Sequence, residues 1–165
     1  MGAPPQHLAT AGRANPSGIP YLYLSRSLET TIYETRSGYL DLLSVARFNP
    51  KGEELNIVDF TIHPSIFNDE QERVEIMTSR LLKDAISQDL SKPMRRYDSE
   101  LEYIPTQFIC EYIRYTTGVD GIQFNSSLHK VGVNIVLFDP DKVECKVVEV
   151  HHVSEVLIVS GIKEE

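Results

Sequence analysis

The nearly unbroken apolar run from Val131 to Phe138 constrains this chain more than any other segment, because it reads as a strand and stands in a strand-rich neighbourhood. Gly121–Phe124 precedes it, and Val143–Val150 and Val153–Val159 follow it, with the turn Asp139-Pro140-Asp141 after the central run. Upstream, Pro16, Ser17, Gly18 and Pro20 form a turn that leads into the short strand Tyr21-Leu22-Tyr23-Leu24. Leu40–Phe48 and Leu55–Phe60 are two more strands, and the intervening Asn49-Pro50-Lys51-Gly52 suggests an antiparallel, hairpin-like pair.

Three helices are expected. Ser25 or Ser27 caps the first, which runs through Leu28, Ile32 and Glu34. Over Asp69–Ile86 the residues Val74, Met77, Leu81 and Ala85 recur at helical spacing and predict the packing face of an otherwise charged helix. Pro105 suits a first helical turn, Ile104, Phe108, Ile109, Tyr112 and Ile113 form a stripe behind it, and Gly118 supplies the stop. The polar stretch Ser87–Glu102, with Pro93, Arg95 and Arg96, is expected to be a long loop. About seven strands and three helices without βαβ alternation predict an α+β domain with a mixed or antiparallel sheet. A Rossmann fold is disfavoured, because no glycine-rich turn joins a strand to a helix.

At 165 residues the chain corresponds to one domain on the usual allowance of roughly 100–200 residues. Residues 1–11, rich in Pro, Ala and Gly, read as a flexible arm, and residues 12–165 as the single domain. Sixteen Lys and Arg against 24 Asp and Glu give a net charge of −8, which argues against nucleic acid or anionic lipid as a partner. A phosphate-bearing small ligand would need a few well-placed cations. No apolar run approaches the roughly 20 residues of a membrane span. The start of the chain has no basic stretch followed by an apolar one, and Cys110 and Cys145 are the only cysteines, so two buried thiols in a reducing cytoplasm are expected. In that setting the sequon Asn125-Ser126-Ser127 is a chance match.

The residue types leave several chemistries open. Arg13, on a turn, is a solvated cation or a forked donor for phosphate or carboxylate. Tyr23 is a half-buried aromatic or a surface on which a ring stacks. Glu34 lies near the end of its helix, where the dipole disfavours a carboxylate. Ser126 is a turn residue or a hydroxyl that orients a ligand. A metal-dependent hydrolase would rest on His63, His129, His151 and His152 alone, without ligand spacing, so no metal is expected. No nucleophile elbow, zinc-binding helix or phosphate loop is present.

The stretch Gly12-Arg13-Ala14-Asn15-Pro16-Ser17-Gly18-Ile19-Pro20-Tyr21-Leu22-Tyr23-Leu24-Ser25, followed by Thr30-Thr31-Ile32-Tyr33-Glu34, resembles the opening of RES domains. Tyr103-Ile104-Pro105-Thr106-Gln107, Gly118-Val119-Asp120-Gly121-Ile122, Phe124-Asn125-Ser126-Ser127 and Asn134-Ile135-Val136-Leu137-Phe138 match the same family in order, from about Gly12 to Phe138. The resemblance implies a fold like that of ADP-ribosyltransferases and an NAD-consuming activity, in bacterial toxins held in check by an Xre-type antitoxin. NAD is then a substrate, and the ADP-ribosyl group passes to water, phosphate or a protein.

The family's arginine, tyrosine, glutamate and serine fall on Arg13, Tyr23, Glu34 and Ser126, with Ser127 as a substitute for the last. The resemblance gives Arg13 the dinucleotide's phosphates or ribose, Tyr23 a stacking role, and Ser126 a hydrogen bond to the amide or a phosphate. Tyr103 and Gln107 are placed in supporting contact with the ligand. The alternative is a regulatory domain of the same fold that binds NAD or a protein without chemistry. Many relatives carry an arginine-containing strand upstream of this opening, and nothing comparable precedes Gly12, so a trimmed chain or a missing N-terminal domain is expected.

Overall fold

The computed structural model describes residues 2–52, 54–62, 73–92 and 100–156. Its strands are β1 (Leu22–Ser25), β2 (Leu42–Pro50), β3 (Ile57–Asp59), β4 (Gly121–Asn125), β5 (Val133–Leu137) and β6 (Val143–His152). Its helices are α1 (Leu28–Glu34), α2 (Arg73–Ser91) and α3 (Ile104–Thr117), with 3-10 turns at Gln6–Leu8, Glu100–Tyr103 and Pro140–Lys142. The fold is α+β: a four-stranded mixed sheet in the order β1-β5-β4-β3, and a two-stranded ribbon of β2 and β6.

β5 earns its place at the centre of this arrangement. It pairs antiparallel with β1 on one edge and β4 on the other, and a separate core cluster packs on each of its faces. Val136 packs with Ile122, Phe124, Phe138 and Tyr21 on the face where α2 contributes Leu90 and Ile86, and α3 contributes Cys110 and Ile113. Leu137 and Ile135 pack on the opposite face with Leu22 and Leu24, closed by Phe48 and Val143 of the ribbon. Burial pushes the Cys110 thiol up to about 12, which makes it an inert core residue. Cys145, expected to be buried as well, is partly exposed on β6.

The expected hairpin of residues 40–48 and 55–60 does not form. β2 pairs antiparallel with β6, from Leu42 opposite His152 to Pro50 opposite Val143, and β3 pairs parallel with β4 in the other sheet. β3 is drawn away because Val58 and Phe60 pack into one core and Ile57 into the other, whereas β2 is exposed along one side. Asp120 fixes the departure: its carboxylate accepts the Asn56 backbone N–H at 2.8 Å and is ion-paired to Lys142.

The helix boundaries follow the sequence more closely than the helix faces do. Ser27 caps α1 by accepting the Thr30 N–H at 3.1 Å, and Gly118 ends α3 at φ 65°, a left-handed conformation that suits glycine. α2 runs on to Ser91, so the expected loop begins later, and residues 93–99 lie outside the described residues. The predicted packing stripe of Val74, Met77, Leu81 and Ala85 is exposed, and α2 packs instead through Ile86, Ser87 and Leu90. On α3, Ile104, Phe108 and Tyr112 likewise face outward, while Thr106, Cys110 and Ile113 turn inward. Of the expected strand Val153–Val159, residues 153–156 are irregular and the rest lie outside the described residues. In the segment read as an arm, Ala9 is buried and its carbonyl accepts the Gly18 N–H at 2.8 Å.

The Lys142 hydrogen bond and the Asn56 N–H hold the Asp120 carboxyl below its ordinary value of 3.8, against the effect of burial. A depressed folded-state value means that this contact stabilises the fold above pH 3.8 and is lost as the pH falls further through the folded value. Urea unfolding of the parent and Asp120→Asn at neutral and acid pH is expected to show that component of acid sensitivity in the parent only. Identical pH dependence in the two proteins would contradict it.

Candidate active site

A cleft of about 550 Å³ opens over the edge strand β1, bounded by α1, by residues 44–48 of β2 and by the C-terminal end of α2. That volume lies in the usual range for small-molecule sites, roughly 300–1,000 Å³. Arg13, Tyr23, Glu34 and Ser127 all line it, joined by Asn134 and by Ser25, which sequence reasoning offered only as a helix cap. Arg36 and Lys92 add two further cations to the rim of an otherwise acidic protein.

Glu34 is the last residue of α1, where the helix dipole opposes a negative charge. Two neutral donors offset that placement. Ser126 Oγ donates to Glu34 Oε1 at 2.6 Å, and Asn134 Nδ2 donates to the same oxygen at 2.7 Å. Ser126 is buried, and its oxygen also accepts the backbone N–H groups of Leu128 at 3.2 Å and His129 at 3.0 Å. A serine hydroxyl has one proton and two lone pairs, so all its capacity is used and its proton is committed to Glu34. In this arrangement Ser126 meets the cleft through Glu34. Ser127 Oγ donates to the Ser91 carbonyl at 2.5 Å, joining the β4–β5 loop to the end of α2.

The loop around Arg13 is built on Asn15, a buried residue that sequence reasoning missed. Its Nδ2 lies within hydrogen-bond distance of the carbonyls of Thr10, Pro16 and Ile19, at 3.0, 3.2 and 2.8 Å, and its Oδ1 accepts the Tyr23 hydroxyl at 2.7 Å. Tyr23 OH in turn accepts the Ala14 N–H at 3.0 Å. A side chain at Gly12 would place its Cβ 2.6 Å from that hydroxyl, so the close approach requires glycine. Gln107, on α3, donates to the carbonyls of Gly12 and Asn15 at 2.8 and 3.0 Å. It holds the loop rather than lining the cleft.

Arg13 itself donates to the Asp89 carbonyl at 3.2 Å, one of the open carbonyls of the last turn of α2. Its guanidinium carbon lies 5.1 Å from the centre of the buried Tyr103 ring. The bond to Asp89 is its one hydrogen bond among the described residues. Tyr103 is thus the platform under Arg13. Tyr23 is 46% exposed while its hydroxyl is engaged by Asn15 and Ala14, and burial, only partly countered by the Ala14 N–H, pushes the phenol well above its usual value. Tyr23 stays neutral and offers the cleft an aromatic wall.

Of the four histidines weighed for a metal, His63 lies outside the described residues. His129 is engaged by α1: its Nδ1 lies 2.9 Å from Thr30 Oγ1 and its ring stacks on Tyr33 at 4.8 Å. His151 lies 3.4 Å from Glu149 on the ribbon. Among the described residues no three His, Cys, Asp or Glu side chains converge as a metal ion would require.

One cleft of this α+β domain is thus lined by a fixed carboxylate, an arginine fork and an aromatic wall. The chain belongs to the RES domain family, whose model matches residues 1–157. No curated protein and no solved structure matches the chain. Family membership is consistent with an NAD-related function. Among the described residues no helix is long and apolar enough to cross a membrane.

Removing the Tyr23 hydroxyl tests the loop without removing the wall. Tyr23→Phe leaves Asn15 Oδ1 and the Ala14 N–H unpaired and is expected to cost about 1–3 kcal/mol in urea unfolding. Unchanged stability would show that the hydroxyl does not organise the loop.

Proposed function

We propose that this chain is an NAD-consuming enzyme that cleaves the bond between nicotinamide and its ribose, and that it serves as a bacterial toxin or defence effector. The acceptor makes it an NAD glycohydrolase, with phosphorolysis and ADP-ribosyl transfer to a protein as close variants. The observation that carries the reading is a single carboxylate, Glu34, fixed by neutral donors in a cleft shared with Arg13 and Tyr23.

The chemistry suits those groups. Nicotinamide departs from a pyridinium as a neutral ring, so the bond needs no strong general acid. The barrier lies in the positive charge that develops on the ribose. A carboxylate aimed at that carbon or at the neighbouring hydroxyl stabilises charge present mainly in the transition state. Arg13, braced by Tyr103 and the end of α2, would hold the pyrophosphate or a ribose hydroxyl. Tyr23 would stack on nicotinamide or the ribose face. Holding the dinucleotide bent between them lowers the barrier further by orientation. An Xre-type antitoxin is the partner this reading proposes.

Glu34→Gln is expected to lower turnover roughly 10²–10³-fold with little change in KM for NAD. Arg13→Ala is expected to raise KM as well. Nicotinamide release measured over a range of NAD concentrations checks both. Full turnover in Glu34→Gln would remove Glu34 from the mechanism, and normal affinity in Arg13→Ala would take Arg13 off the ligand.

A further inference from the structure

We propose that Asn134, oriented by Ser25, is a positioning residue that decides which oxygen of Glu34 meets the substrate. The inference rests on the NAD-cleaving reading and adds to it a residue and a geometry. In the β1–β5 register Ser25 stands directly opposite Asn134, so the two side chains share one face of the sheet. Ser25 Oγ donates to Asn134 Oδ1 at 2.9 Å, and Asn134 Nδ2 donates to Glu34 Oε1 at 2.7 Å.

The direction of this chain is dictated by the acceptor at its end. An ionised carboxylate can only accept, so the amide must turn its nitrogen to Glu34 and its oxygen to Ser25. The Ser25 hydroxyl is then obliged to donate. Rotating the amide would set Oδ1 against Oε1, two acceptors in contact, and would lose the hydrogen bond to Glu34. From the other side the Ser126 hydroxyl reaches the same Oε1, with its own direction fixed by the two N–H groups it accepts.

Both donors therefore converge on Oε1, and among the described residues nothing donates to Oε2. Oε1 is the anchored oxygen and Oε2 the working one, held at a set angle for the ribose. The donors are also neutral. An arginine or lysine in the place of Asn134 would fix the carboxylate equally well, but it would offset the negative charge that a cationic transition state needs. A neutral amide supplies orientation and leaves the charge intact.

A double-mutant cycle tests the assignment, with nicotinamide release from NAD as the assay and thermal unfolding run on each variant. Asn134→Ala is expected to lower kcat about 10–100-fold with KM for NAD nearly unchanged. In a Glu34→Gln background the same substitution is expected to change kcat less than about twofold, because nothing is left to position. Ser25→Ala should show a smaller loss of the same kind, and Ser25→Thr, which keeps the donor, should restore the parent rate.

An equal loss from Asn134→Ala in both backgrounds would overturn the inference, as would a raised KM with normal kcat, which would place Asn134 on the substrate itself. If Asn134→Ala does not fold, the cycle is run with Ser25→Ala and the same criteria apply. A parent with no activity on NAD would sink the underlying reading and this inference with it. An active parent with an additive cycle would sink only this inference.

Discussion

A carboxylate kept at the unfavourable end of a short helix is the interaction around which this domain is organised. Glu34 closes the seven-residue α1, where the open carbonyls repel it, and it stays there because the neighbouring sheet and loop deliver two donors to one of its oxygens. The same loop also fixes the helix. Ser126 reaches Glu34, while three residues on His129 bonds the buried Thr30 and stacks on Tyr33. The β4–β5 loop thus sets both where α1 lies and what its last side chain touches, and the central pairing of β5 holds that loop in place.

The opposite wall of the cleft is built by different means. Arg13 sits on a loop with no regular structure, and the loop is made rigid by Asn15 and Gln107, which satisfy carbonyls that would otherwise be unpaired. Such a network is stable only when complete, since each missing partner leaves a polar group without water or protein to bond. Gly12 belongs to it for its lack of a side chain, and Tyr23 belongs to it through its hydroxyl. The cleft therefore has one wall positioned by strand register and another positioned by side-chain amides.

Much of this was legible in the sequence. Ser27, Pro105 and Gly118 mark helix ends by local chemistry, and local chemistry is what they show in the structure. The strands at β1, β4, β5 and most of β6 follow from short-range patterning. What was not legible is which surfaces find a partner. The spacing of Val74, Met77 and Leu81 identifies a helix face but not whether anything covers it, and α2 packs through another face. The pairing of β2 with β6 joins segments about a hundred residues apart, which no local turn signal announces.

The site divides in the same way. Arg13, Tyr23, Glu34 and Ser127 line one cleft, and Ser126 meets it through its hydrogen bond to Glu34. The Ser126 proton goes to Glu34 because two backbone amides occupy its lone pairs, a fact of loop geometry and not of residue type. Asn15, Ser25 and Asn134 lie inside the resembling blocks, yet only the register and the loop path show what they hold.

The most direct test of the account is to incubate the protein with NAD, with and without phosphate, and to separate the products. The account predicts release of nicotinamide, with ADP-ribose as the companion product if water is the acceptor and its 1″-phosphate if phosphate is. Intact NAD under every condition, with no ADP-ribosylated protein formed, would contradict it.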